Sequence, residues 1–383
     1  MRKNQKRVLV ALGWYDQRLH RGIEKYAQEH SWHLSADVTK EKVIPWGWTG
    51  DGILAWLGIG DDLAEFVVRS KKPTVDFSFR RPHLGFPHVL EDHACSAQIV
   101  AEHFLSRGFV HFMFYSDMEN WAYDERGQGF ADALKRRGYV CNWLRWHKSP
   151  AYYPGGRTEE WKRKRKWLTA QLKQSPKPLA VFAATDALAL DVLETCEDAG
   201  LVVPEQVAIV GADNSLLAVD AMHTPISSVE INMEAVGYRG AALLDEMMNG
   251  KAPPQEPVRI PPVGLIVRKS SDLLAVNHKG VAKSLRFIWE HFHEPISVKD
   301  LMAVAAMSRR ALYSSFLQHI GRTPGEEIHR VRIDHAKKLL AEPGQKIENV
   351  ASVCGYQSSN SFWVTFKKTT GMSPKKYRQA TLH

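Results

Sequence analysis

The first 270 residues predict an α/β fold wound about parallel sheets, and the residues from 281 onward predict an all-α unit. Three observations carry this. Short β-rich apolar runs alternate with helical patterns as far as about residue 270, the order expected of parallel strands joined by helices. From Val281 the pattern is wholly helical. The positive charge is segregated as well: of a net +9, the last 109 residues hold 17 Lys and Arg against 8 Asp and Glu, whereas the first 274 hold 34 of each.

The chain opens MRKNQKRVLVALGWYDQR, which imitates a secretory signal in its basic start and short apolar run. Asp16 and Arg18 close the run and no small-residue cleavage site follows. It is therefore read as a first buried strand, and the chain is expected to stay in the cytoplasm. The strands read are VLVAL (8 to 12), DGILAWL (51 to 57), TVDFS (74 to 78), FMFYS (112 to 116), LAVFAAT (179 to 185) and VAIVGAD (207 to 213). They are mostly apolar rather than alternating, which suits a sheet covered on both faces. Between them lie QRLHRGIEKYAQEH, CSAQIVAEHFLSRG, ERGQGFADALKRRG, ALALDVLETCEDAG and EAVGYRGAALLDEMMNG, with helix-ending glycines at 108, 138, 200 and 250. The run KAPPQEPVRIPPVG (251 to 264) cannot continue a helix. It leads to LIVRKSSDLLAVNHKG, read as the end of the first unit and a short linker, so the domains are read as 1–270 and 281–383 with a linker at 271–280.

Composition narrows the function. With 383 residues the chain exceeds a single core. No apolar run approaches the roughly 18 residues that span a bilayer. Cys95, Cys141, Cys196 and Cys354 lie far apart, without zinc-ligand spacing, and each is read as a small buried hydrophobe. No metal and no cofactor is expected, and GxSxG, HExxH, P-loop and GxGxxG motifs are absent. Positive charge confined to one end is the footprint of a nucleic-acid partner, since Lys and Arg displace counterions from phosphates.

The basic part contains two similar halves, SVKDLMAVAAMSRRALYSSFLQHIGRTP and KIENVASVCGYQSSNSFWVTFKKTTGMSP. Phe316 pairs with Phe366 and Leu312 with Phe362 at an offset of 50, while Leu301 with Val350 and Ala306 with Gly355 differ by 49. The second turn is thus one residue longer. Leu312 with Phe316, and Phe362 with Phe366, share a buried helix face at i and i+4. Exposed beside them lie Ser308, Arg309, Arg310, Tyr313 and Ser314 in the first half, and Ser358, Ser359, Asn360, Trp363, Lys367 and Lys368 in the second. A helix, a tight turn and a second helix of mixed polarity form a helix-turn-helix pattern, whose second helix reads a DNA major groove. Two in tandem, bridged by PGEEIHRVRIDHAKKLLAE, are far more specific than one; the competing reading is a helical bundle for protein contacts.

Over about its last 100 residues the chain resembles the AraC family of bacterial transcription regulators. The resemblance is carried by Arg332, Ala336, Leu340, Val350, Ala351, Gly355, Tyr356, Phe362, Phe366, Lys367, Gly371, Ser373, Pro374, Tyr377 and Arg378. Ala306 stands where the family often has Gly, and is expected to fit provided the turn needs no positive φ there. Trp363 and Val364 stand at recognition-helix places where small or polar residues are common. The resemblance implies double-stranded DNA as partner, with two recognition helices entering successive major grooves about 34 Å apart.

The first 270 residues resemble the ligand-binding domain of the lac repressor family and, with it, periplasmic sugar-binding proteins, on Arg126, Thr185-Asp186, Pro204 to Gly211, Asp213-Asn214 and Ser227-Ser228-Val229. This implies a sensor of two doubly wound subdomains, with Arg126, Thr185, Asp186, Asp213 and Asn214 at the ligand. Carboxylates that accept and an Arg that donates suit a polyhydroxylated ligand. Trp14 and Trp121 are candidates to cover an apolar sugar face, or else are core residues. Asp16 either touches ligand or caps the helix beginning at Gln17. The run from Trp161 to Lys166 is read as a solvated helix face, an auxiliary contact being the alternative.

Sensor first and AraC-type domain last, with YDQRLHRGIEKY, DGILAW and ATDALALDVLETCE, resembles the AraC-type regulators that respond to xylose. The expectation is a dimeric, sugar-responsive activator, with D-xylose the leading effector and no enzymatic activity. The alternatives are another aldose or small ligand, a sugar-processing enzyme using Asp186 and Asp213 as acid and base, or a secreted binding protein.

Overall fold

The structure is a computed structural model that describes residues 5–35, 43–58, 60–117, 120–146, 156–214, 223–272, 278–341 and 346–382. The chain divides into two compact units: Met1–His103 with His111–Asp272, and Phe104–Val110 with Leu273–His383.

The first unit begins β1 (Arg7–Leu12), α1 (Gln17–Glu29), β2 (His33–Ser35), β3 (Gly52–Trp56), α2 (Asp61–Ser70), β4 (Thr74–Asp76) and β5 (Val89–Glu91). Then come α3 (His93–Ser106), β6 (His111–Ser116), α4 (Trp121–Lys135), β7 (Cys141–Arg145), α5 (Gly156–Gln174), β8 (Leu179–Ala183), α6 (Asp186–Ala199) and β9 (Val207–Ala212). It closes with β10 (Ser227–Glu230), α7 (Met233–Met248), β11 (Val258–Ile260) and β12 (Gly264–Ile266). Two sheets result. One runs β2-β1-β3-β4, all parallel, and is extended by a parallel bridge from Asp76 to His88 toward the β5-β11 pair. The other runs β12-β10-β9-β8-β6-β7, parallel except for β12 at its edge.

Val8, Leu9, Val10 and Ala11 of β1 have no exposed surface, nor do Ala180, Val181 and Phe182 of β8. Strands wholly covered on both faces explain why these runs are continuously apolar. The chain crosses between the sheets: α7 leaves the second and buries Met233, Val236 and Leu244 with Val8 and Val75 of the first and with Leu19 of α1. Each such side chain contributes about 1.5–3 kcal/mol by leaving water.

The structure adds two short strands here that the sequence did not announce and corrects two expectations. The proline-rich run and the residues after it carry those strands, since Val258–Ile260 pairs with β5 and Gly264–Ile266 with β10. Proline is tolerated because these are short edge pieces whose pairing spares the proline nitrogens. Of the cysteines, Cys196 and Cys354 are buried, but Cys95 and Cys141 are partly exposed, Cys141 on the edge strand β7. Ser271, placed in the linker by sequence, is buried in the first unit; residues 273–277 lie outside the described residues.

The second unit contains α8 (Lys279–His291), α9 (Val298–Ala305), α10 (Arg309–Ile320), α11 (Pro324–Ala341), α12 (Ile347–Val353), α13 (Ser359–Thr370) and α14 (Pro374–Leu382). Its core is two clusters. Leu301, Leu312 and Phe316 close with Leu285 and Ile288 of α8. Val350, Phe362 and Phe366 close with Ile333, Ala336 and Leu340 of α11. The repeat read from sequence is geometrical as well, since Ser308 and Ser358 both cap second helices and Gly321 and Gly371 both end them with φ near +75°. Arg332 donates to Phe292 O at 2.9 Å and Glu294 O at 2.6 Å, tying α11 to the end of α8.

The turn between α9 and α10 departs from expectation. Ala306 ends α9 with φ 53° and ψ 45°, as Gly355 stands at φ 75° in the second half. Alanine therefore sits in the left-handed region that the sequence reading assumed it avoids, at about 1–2 kcal/mol relative to a right-handed conformation. Ala306→Gly is expected to stabilise the first helix-turn-helix by about 1 kcal/mol, seen as roughly fivefold slower amide exchange of the core residues of α9 and α10.

Candidate ligand cavity and nucleic-acid interface

A cavity of about 520 Å³ opens in the first unit where the loops after its parallel strands converge, the place at which open α/β sheets bind ligands. Its volume lies in the usual range for a small-molecule pocket. Trp14 follows β1, Trp56 ends β3, Phe77 and Arg80 follow β4, Glu91 and His93 flank the end of β5, and Asp213 follows β9. The starts of three helices complete the lining: Trp121, Ala122, Tyr123 and Arg126, then Thr185 to Ala187, and Met233 with Val236.

Local capping positions these groups. Asn120 caps α4, its side chain accepting from Ala122 N at 3.0 Å, so Trp121 begins the helix at the cavity rim and Arg126 follows on its buried face. Thr185 caps α6 by accepting from Leu188 N at 3.3 Å, and Asp186 takes the first helical position, where the helix dipole favours a carboxylate. Ser228 donates to Asp186 Oδ1 at 2.5 Å. A Cβ on Gly211 would lie 2.3 Å from that oxygen, so only glycine lets the carboxylate approach β9.

Arg126 is the centre of the site, with only 3% of its surface exposed. It donates to Glu91 Oε2 at 2.9 Å, Asp213 Oδ1 at 3.0 Å, Ala184 O at 2.5 Å and His93 Nδ1 at 3.2 Å. Burial, reinforced by Arg126 and Arg259, holds His93 well below its ordinary pKa, so a neutral imidazole accepts that bond on Nδ1. Burial pushes Glu91 up to about 7, although Arg126 pulls it down. Asp213 is also raised by burial, against Arg126 and Arg18.

Glu91 contributes to the pH dependence, in the same sense as the raised Asp76 and Asp213 and in the opposite sense to the neutral buried His93. A carboxyl whose pKa rises on folding binds its proton more tightly in the native state, so stability is full below about 4.5 and is lost as pH rises through about 7. The loss is on the order of 3 kcal/mol across that window. Glu91→Gln is expected to remove this contribution, so that the Tm of the variant relative to wild type rises between pH 5 and pH 7.5, measured by calorimetry of the full chain.

Six of the eight ligand residues read from sequence line this cavity: Trp14, Trp121, Arg126, Thr185, Asp186 and Asp213. Trp14 is 40% exposed and packs on Trp56 at 4.8 Å, while Trp121 packs on His93 at 5.0 Å, so both are cavity walls rather than deep core. Asp16 and Asn214 are not in the lining. Asp16 caps α1, accepting from Arg18 N and Leu19 N, and pairs with the Arg18 guanidinium at 2.8 Å. Arg18 in turn reaches Asp213 O at 2.8 Å, so Asp16 stands one side chain behind the cavity. The Asn214 side chain instead accepts from Arg268, and its backbone N–H donates to Ser228 Oγ. Sequence reading missed Glu91, His93, Arg18, Trp56 and Tyr123; the signal was VLEDH at 89 to 93, a short apolar pair followed by charge at a strand end.

In the second unit, Ser308, Arg309, Arg310, Ser314, Ser358, Ser359, Asn360, Trp363, Lys367 and Lys368 are exposed and Tyr313 is half-buried. Ser308 and Ser358 serve as caps, accepting from Ala311 N and Ser361 N. Arg309 lies over the Tyr313 ring at 5.6 Å and Lys367 over Trp363 at 4.9 Å. Each recognition helix thus presents a cation held against an aromatic face. The bridging helix α11 has 18 residues, about 27 Å of rigid spacer. At its start Glu327, fully buried, accepts from Arg322 and Arg330 at 2.7 Å.

The basic run on α5 is partly spoken for. Lys164 pairs with Asp191 at 2.6 Å, Arg165 with Glu194 at 2.7 Å and Lys162 with Glu159 at 2.8 Å, while Lys162, Arg163 and Lys166 lie on the exposed side. Among the described residues, no three His, Cys, Asp or Glu side chains group as a metal site, and no helix is long and apolar enough to cross a membrane.

Comparison with known proteins places both units. A family described as a periplasmic binding protein-like domain matches residues 101–271, and one described as a helix-turn-helix domain matches 301–380. The chain is 29% identical to the xylose operon regulatory protein of Haemophilus influenzae over 78% of its own length and 75% of that protein. It is 27% identical to the protein of the same name from Escherichia coli over 95% and 94%. The solved structure of a xylose-binding transcription activator, xylR, matches the whole of both chains with a TM-score of 0.60 at 23% identity, a likeness of fold.

Proposed function

We propose that this chain, which joins a periplasmic binding protein-like domain to a helix-turn-helix domain and is homologous to xylose operon regulatory proteins, is a sugar-responsive DNA-binding transcription activator. The observation that carries the reading is one chain holding both an Arg126-centred carboxylate cavity and two helix-turn-helix halves with exposed cations. Its homologues bear the names of regulators, not of enzymes. Asp186 and Asp213 are each already engaged as acceptors, by Ser228 and Arg126, which suits fixed recognition better than proton transfer.

The effector read here is D-xylose. Hydroxyls both donate and accept, so a pentose bridges the carboxylates and the guanidinium, while Trp14 and Trp121 cover its C–H face. The protein acts in the cytoplasm as a homodimer, so that four recognition helices meet two half-sites. Sugar drawn between the two subdomains favours the form that binds it better, and that difference in affinity is all it has to shift DNA binding.

Calorimetric titration with D-xylose, L-arabinose, D-ribose and D-glucose tests the reading. Saturable binding of D-xylose is expected, abolished in Asp213→Ala while basal DNA binding survives. No heat from any of the four would overturn the sugar reading, and turnover of a bound sugar would decide for an enzyme. Light scattering at twice the chain mass is expected for the dimer.

A further inference from the structure

We propose that Arg268 is a positioning residue that couples the occupied cavity to the last residues of the sensor. The proposal rests on the reading of the cavity as a sugar site. It stands on a chain of bonds that begins at Asp213 and ends at Ser271.

Asp213 and Asn214 have φ of 100° and 46°, in the region that non-glycine residues rarely adopt. Such a turn persists only when its surroundings hold it. On the cavity side Arg126 donates to Asp213 Oδ1 at 3.0 Å and Arg18 to Asp213 O at 2.8 Å. On the far side Asn214 N–H donates to Ser228 Oγ at 3.0 Å, and Arg268 donates to Asn214 Oδ1 at 2.9 Å. Ser228 also donates to Asp186 in the cavity wall. The strained turn is therefore clamped by ligand-facing groups on one side and by Arg268 on the other.

Arg268 is in turn locked to the exit of the unit. Its guanidinium donates to Ile226 O at 3.1 Å, its N–H to Ser227 Oγ at 2.8 Å, and its carbonyl accepts from Ser227 at 2.9 Å. Ser271 donates to Ser227 Oγ at 2.7 Å and Ser270 to Ile209 O at 2.7 Å. The Ser271 hydroxyl has then spent its one proton, so His103 Nε2, 2.8 Å away, is the donor to it. Ser227, Ser228, Ser270 and Ser271 have no exposed surface. Breaking a link among these serines leaves a buried hydroxyl unsatisfied, so their bonds hold together, and the half-buried Arg268 and Asn214 join that cluster to the turn. A sugar hydroxyl that binds Asp213 competes with Arg126 for the carboxylate, moves the balance of the strained turn, and through Asn214 and Arg268 resets residues 268–271.

Amide exchange of residues 266–272 in the full chain tests this in two arms. Without sugar, Asp213→Asn is expected to speed exchange there about tenfold in the wild-type background and less than twofold in Arg268→Gln. Equal acceleration in both backgrounds, or none in either, would overturn the role of Arg268. With D-xylose, exchange in the segment should slow in the wild type, whereas Arg268→Gln should bind within about threefold of wild-type affinity without that slowing. Slowing that persists in Arg268→Gln also counts against the coupling. Absence of D-xylose binding to the wild type refutes the sugar reading alone, because the ligand-free arm still decides the coupling. If circular dichroism shows Arg268→Gln unfolded, Ser271→Ala replaces it, and the same loss of response is required.

Discussion

Arg126→Met is expected to abolish sugar binding and to destabilise the sensor by on the order of 3–5 kcal/mol, because it strips the one guanidinium that bonds both Glu91 and Asp213. Methionine keeps much of the volume, so the effect isolates the charge and its hydrogen bonds. The loss should depend on pH. Without Arg126 both carboxyls rise further above ordinary values that burial has already raised, and protonation then relieves the buried charge. The destabilisation should accordingly be smaller at pH 5 than at pH 8, and Glu91→Gln in the same chain should restore part of it. Calorimetric unfolding at the two pH values, with sugar titration beside it, checks all three statements. A uniform loss at every pH would mean that Arg126 acts through packing and not through its charge.

How far this site was legible depends on what defines each residue locally. Asp186 and Asp213 follow long strands that are apolar on both faces, β8 and β9, and such runs announce their own ends. Arg126 was legible through the family resemblance. Glu91 was not, since it ends a three-residue strand whose pairing partner lies at Val258–Ile260. That partner sits in a proline-rich run whose sequence says only that it cannot continue a helix, and no local pattern ties the two together. Edge strands were lost for the same reason: β7 and β12 are fixed by neighbours far along the chain more than by their own composition.

The helical unit was more legible because it repeats. An offset of 50 between second helices predicted that Phe316 and Phe366 occupy equivalent places, and each is fully buried in its own cluster. The same comparison held the signal that was misjudged. Ala306 aligns with Gly355 at an offset of 49, and Gly355 takes φ 75° with Phe292 O 2.3 Å from where its Cβ would be. A backbone requirement visible as glycine in one half was present in the other half under alanine.

Phe366→Ala is the second change with a large expected effect. Its ring has no exposed surface and meets Phe362 and Tyr377 at 5.4 Å each. Truncating a buried phenylalanine costs about 3–5 kcal/mol, which a core of nine buried side chains is poorly able to bear. The first helix-turn-helix packs around a separate cluster, so it should remain folded while the second loosens. DNA affinity is then expected to fall at least about 100-fold, with protection shortened to one major groove, while sugar binding in the first unit stays as it was. Lys367→Ala, one residue along the same helix and exposed, supplies the contrast: stability unchanged, affinity lowered uniformly across sequences, and the salt slope reduced by about 1. Footprinting with affinity measured at two salt concentrations separates the two. Loss of both grooves in Phe366→Ala would mean that α11 transmits the collapse and that the two halves fold as a single unit.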